Sequence, residues 1–181
     1  TTILVAIVMA FSLVTLLSDD SAADPTDGWD QFTDTSWYTD NQDDSEYILS
    51  DAADLAGLAS LVNSNGVTFE GKTITLTTGS YDLSEHYWVP IGNSARTSTI
   101  SEDTKVFSGT FDGAGSTISG ITDGSYTPSE SSLDGEEFLY GLFGFTNNAT
   151  IRNIVLTNVN IDVYDDGSTH GNSVGALVGY G

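Results

Sequence analysis

The side chains able to do chemistry are few and scattered. His86 and His170 are the only histidines, 84 positions apart, and neither belongs to the His-Glu-x-x-His spacing that seats zinc on one helix face. With no cysteine there is no thiolate ligand, no thiol nucleophile and no disulfide framework. Ser94 and Ser116 lack the Gly-x-Ser-x-Gly elbow that exposes a nucleophilic serine. His86, in Ser84-Glu85-His86-Tyr87-Trp88, reads as a loop residue because no placed nucleophile accompanies it. Asp82 and Asp112 are the eligible carboxylates for glycoside chemistry, which needs a pair at a defined separation. Asp112-Gly113 is also a preferred turn dipeptide, and that is the simpler role. Asp165-Asp166-Gly167 offers at most a weak Ca²⁺ site and most simply makes a turn; no Asp-x-Asp-x-Asp-Gly loop accompanies it. No cofactor is implied.

The elements that position these groups differ sharply along the chain. Lys and Arg total 4 against 26 Asp and Glu, a net charge of −22 over 181 residues. A phosphate backbone needs a basic face, so nucleic acid is excluded as a partner, and anionic lipid is disfavoured for the same reason. Ile3 to Leu17 is uncharged. At ~1.5 Å per residue that run makes a helix of roughly 22 Å, short of the ~30 Å bilayer core. It matches the apolar region of a secretory signal peptide, with small residues at Ser21-Ala22-Ala23 for cleavage before Asp24 and a basic start expected upstream of Thr1. A buried core helix and a pilin-like filament helix are the competing readings.

Residues 24–47 form an acidic, partly disordered spacer: twelve acids fall between Asp19 and Asp54, and no Lys or Arg precedes Lys72. Trp29, Phe32, Trp37 and Tyr38 are more aromatic surface than a solvating linker needs. They either dock on the domain that follows or form an exposed recognition strip, and docking is favoured because buried aromatics contribute more.

Residues 48–181 carry the domain. Ile48 to Asn63 has the helix signal, with Asp51 as cap, Asp54 three residues on, and Leu55, Leu58, Ala59 and Val62 on one face. After Gly66 the pattern turns to short strands at 73–77, 107–111, 116–121, 150–156 and 159–163, with no second amphipathic helix. Asp123 to Glu137 and Tyr164 to Ser173 read as inserted loops. A sandwich, a barrel or a β-solenoid remains. Gly141-Leu142-Phe143-Gly144 returns as Gly175-Ala176-Leu177-Val178-Gly179, 35 residues later, which argues for stacked coils; two edge strands of a sandwich would give the same duplication.

The order of motifs resembles the GLUG-motif surface proteins. It is carried by the helix from Ser50 to Ala59, Phe69-Glu70-Gly71-Lys72-Thr73-Ile74-Thr75-Leu76, Trp88-Val89-Pro90-Ile91-Gly92, Phe111-Asp112-Gly113 and Gly141-Leu142-Phe143-Gly144 with Ile151-Arg152-Asn153-Ile154. The resemblance covers about residues 48–181 and implies a mostly β fold. That fold is a right-handed parallel β-helix, pectin-lyase-like, with an N-terminal capping helix. It also implies a secreted or cell-surface, adhesin-like, non-enzymatic protein, its partner a glycan or a host or cell-surface protein. Some peptidases related to immunoglobulin A cleavage carry the same repeats beside a zinc domain, and the zinc motif is lacking here. The alternative is a carbohydrate-active β-helix enzyme using surface Asp residues. Further coils and an anchoring module are expected beyond Gly181, and no membrane contact after the leader is removed.

Overall fold

The computed structural model describes residues 26–92, 105–122, 138–163 and 172–181. The leader, its cleavage site, Ser94, the loop from Asp123 to Glu137, the Asp165-Asp166-Gly167 turn and His170 lie outside them. A 3-10 turn at Trp29–Gln31 and α1 (Ser36–Thr39) precede β1 (Glu46–Leu49) and α2 (Ala52–Asn63). Then come β2 (Thr73–Leu76), β3 (Ser80–Asp82), β4 (Thr110–Ser119), β5 (Phe138–Tyr140), β6 (Phe143–Phe145), β7 (Thr150–Thr157), β8 (Asn172–Val174) and β9 (Val178–Tyr180).

Every strand pair among them is parallel. β1 pairs with β2, β2 and β3 pair with the two halves of β4, and β7 pairs along the other edge of β4. Register puts like residues in columns. Tyr47, Ile74, Phe111 and Ile151 form one, and Tyr81, Ile118 and Leu156 another. Alternation along β2 and along each half of β4 turns these columns inward, where Ile74, Phe111 and Ile118 are fully buried. Ile151, Ile154 and Leu156 on β7 are only half-buried, since no described strand lies on its far side. The duplicated motif stacks as well: Phe143 registers with Val178, and the Leu142 and Phe143 N–H groups donate to the carbonyls of Ala176 and Leu177.

The helix begins at the Asp51 cap as the sequence indicates, whereas the residues just before it and the divisions between strands differ. Glu46–Leu49 is a strand, because Ile48 and Leu49 pair with Thr75 and Leu76, and the helix starts only where Asp51 accepts a hydrogen bond from the Asp54 N–H at 2.9 Å. Asp54 answers by accepting from the backbone and hydroxyl of Ser50. The runs at 107–111 and 116–121 belong largely to one strand, β4, with a bulge between Asp112 and Ser116. Residues 159–163 form no strand beyond a single bridge from Asn160 to Thr122. Asn172 and Ser173, read as loop, begin β8 because they pair with Phe138 and Leu139.

The aromatics of the acid-rich segment are docked. Trp29 is buried and donates its indole N–H to the Leu83 carbonyl at 3.0 Å. Trp37 and Tyr38 pack around Tyr47 and Phe69. Phe32 stays exposed, stacked on His86 with ring centres 3.8 Å apart. With this strap on one side and the sheet on the other, α2 is buried around most of its circumference, including Ala56 and Leu61 off the face the spacing marked.

Candidate functional site

The side chains between the buried columns point to solvent, and their chemistry is uniform at one position. Thr73, Thr110 and Thr150 are register partners on β2, β4 and β7. Parallel strands lie about 4.8 Å apart, so three hydroxyl-bearing side chains repeat at that interval across the sheet. Where the chain enters these strands, the turns leave a groove of about 360 Å³ lined by Glu70, Lys72, Thr73, Ser108, Thr110 and Asn147, with Gly71, Gly109 and Asn148. Gly109 lets the turns approach closely, since a Cβ there would come within 2.7 Å of the Phe69 carbonyl oxygen. Asn148 holds a left-handed backbone, φ 54°, a conformation that Asn tolerates better than most residues.

The groove's one cation is spent internally. The Lys72 ammonium donates to the carbonyls of Gln42 and Asp44 and to the Tyr47 hydroxyl, and sits over the Tyr47 ring. Glu70 is exposed. What remains for a ligand is a row of hydroxyls and amides beside a carboxylate.

The two carboxylates singled out for catalysis are not brought together. Asp112 pairs with Thr75 and Arg152 at one end of β4, and Asp82 pairs with Ser119 at the other. Each is occupied by its own turn. Asp82 accepts from the Ser84 N–H at 3.0 Å, which holds its carboxyl below the usual range. Asp112 accepts from the Ala114 N–H at 2.9 Å, from the Asn153 amide and from Arg152 Nε at 2.9 Å. The Ala114 N–H is the largest cause of its lowered pKa, with Asn153 and Arg152 adding to it. A general acid needs its pKa raised, and both of these are pushed the other way.

Comparison with protein-family models, with curated proteins and with solved structures finds no match for this chain. The site therefore rests on its own geometry.

The repeat motif is structural in its setting. Leu142 and Phe143 are fully buried, while Gly141 and Gly144 sit against the backbone of Gly175 and Gly92, where a side chain would collide. Ala176 is exposed, and Leu177, Val178 and Gly179 are half-buried. Phe111 is buried in its column and Gly113 packs against Asn153 and Ile154 of the next strand. A second cleft, about 340 Å³, lies between α2 and the segment from Tyr87 to Val89. Two of its lining side chains hold the fold: Trp88 donates to the Leu142 carbonyl, and the Asn63 amide bridges Pro90 and Gly92. Among the described residues no three His, Asp or Glu side chains converge as a metal ion requires, and no helix is long and apolar enough to cross a membrane.

The threonine column was visible in the sequence only as Thr-rich strands. No spacing rule announces it, because Thr73, Thr110 and Thr150 are separated by unequal intervals of 37 and 40 residues.

Proposed function

We propose that this chain is part of a right-handed parallel β-helix exported to the cell surface or medium, where its outer face serves as an adhesin-like binding surface for a glycan or a cell-surface protein. One observation carries the reading: strands separated by 27 to 40 residues stack in parallel with like residues in register, from Tyr47, Ile74 and Phe111 to Ile151. Stacked coils hide apolar columns inside and hold outward side chains in fixed ladders, which suits repeated weak contacts better than a single reaction centre. The apolar run from Ile3 to Leu17, followed by Ser21-Ala22-Ala23, supports export. The resemblance to GLUG-motif proteins supports the same class. α2 is consistent with it, since Leu55, Leu58 and Val62 join the same buried core as the strand columns.

The test is adhesion. Beads coated with the chain should bind intact cells in a saturable way, and antibody raised to it should stain unpermeabilised producing cells or their medium. Retention of the protein inside the cell, with coated beads that bind nothing, would overturn this reading.

A further inference from the structure

We infer that the groove beside the threonine column takes a neutral, hydroxyl-rich polysaccharide laid across the strands; this rests on the surface-binding reading above and narrows its ligand. Three observations converge on that chemistry. The groove presents Thr73, Ser108, Thr110 and Asn147, hydroxyls and an amide that can both donate and accept, the two roles that sugar hydroxyls require of a partner. Among its described lining residues Lys72 is the cation, and it is held by Gln42, Asp44 and Tyr47, leaving none of them free for an anionic polymer. Glu70 at its rim and a net charge of −22 repel uronates, sulfated glycans and nucleic acid alike.

Periodicity supplies direction. Thr73, Thr110 and Thr150 step across the sheet at about 4.8 Å, comparable to the advance per residue of an extended β-linked pyranose chain. A polymer running across the strands therefore meets the Thr73 and Thr110 hydroxyls within the groove and Thr150 where the row continues past its lining. A lipid is not accommodated, since the named lining groups are polar and the apolar columns face inward.

Affinity electrophoresis of the full 181-residue chain tests this, using gels cast with mannan or hydroxyethyl cellulose as neutral probes and polygalacturonate or alginate as anionic ones. Retardation is expected in at least one neutral gel and in neither anionic gel. The double substitution Thr73→Val and Thr110→Val removes two hydroxyls while keeping strand-forming, β-branched side chains. It should weaken retention about tenfold, the loss expected for two ordinary hydrogen bonds. Ser119→Ala, on the far end of β4, should leave retention unchanged, and equal urea midpoints for all three proteins show that the fold is kept. Retardation by an anionic polymer, by no polymer, or undiminished in the double variant would overturn the inference. Bead adhesion to cells whose glycans have been oxidised with periodate separates the two readings: persistence there sinks the glycan and leaves the adhesin, whereas loss supports both.

Discussion

The backbone carbonyl of Asp34 occupies the space a Cβ on Gly57 would need, so the strap ahead of the domain and the middle of α2 touch backbone to backbone. The Asp34 N–H donates to the Ala53 carbonyl at 3.0 Å one turn earlier, which pins the contact. An acid-rich segment is thereby held on a helix that has no charge to attract it between Leu55 and Asn63.

Gly57→Ala reverses the usual sign of such a change. In an exposed helix it would gain about 1 kcal/mol from propensity. Here it must displace the Asp34 backbone, and overpacking of this kind costs roughly 1–3 kcal/mol. Urea unfolding should show a lower midpoint for the variant; an unchanged or higher midpoint would mean the strap is not seated on α2.

The register of the sheet is open to direct chemical test because the chain has no cysteine of its own. Neighbouring positions in parallel strands fall within the ~4.4–6.8 Å Cα separation that a disulfide spans. Thr73→Cys with Thr110→Cys, and Thr110→Cys with Thr150→Cys, should each oxidise to an intramolecular crosslink. Thr73→Cys with Thr150→Cys skips a strand, about 10 Å, and should stay reduced. Crosslinking of the skipped pair in preference to the adjacent ones would refute the strand order.

Asp112, Asp82 and Asp34 all have carboxyls held below their ordinary range by backbone N–H groups in the turns they close. Because the folded values are the lower ones, unfolding takes up protons in acid. The stability these groups lend is complete above the ordinary aspartate value near pH ~4 and is lost as the pH falls through the folded values. Asp112→Asn removes one such group together with its ion pair to Arg152. Its stability should fall less steeply below pH ~4 than that of the parent, measured as urea midpoint against pH. An identical slope would show that the Asp112 contacts do not persist in solution.

Ala114 sits in the bulge of β4 with a left-handed backbone, φ 50°, although it is not glycine. That conformation costs an L-residue about 1–2 kcal/mol, part of which glycine returns as added freedom of the unfolded chain. Ala114→Gly should therefore raise stability by up to about 1 kcal/mol, read as a higher melting temperature. A drop would show that the Ala114 methyl packs usefully.

Legibility followed the range of the interaction. The Asp51 cap was readable because its partner, Asp54, is three residues away. β1 was missed because Ile48 and Leu49 look helical until Thr75 and Leu76 are placed beside them. The second copy of the Gly-Leu-Phe-Gly motif was readable as a duplication, but its stacking of Phe143 on Val178 needed the fold.

What the amino-acid order determined alone was local or global in scope: the net charge of −22, the lack of cysteine, the capped helix, and strands punctuated by glycine and asparagine. These follow from charge, residue type and near neighbours. The tertiary structure decided the rest. It separated Asp82 from Asp112, engaged the Lys72 ammonium with oxygens roughly thirty residues away, buried Trp29 and packed Trp37 against the core, and aligned Thr73, Thr110 and Thr150 into one polar row. Each of those depends on which strand lies beside which, and unequal loops between strands erase that register from the linear order.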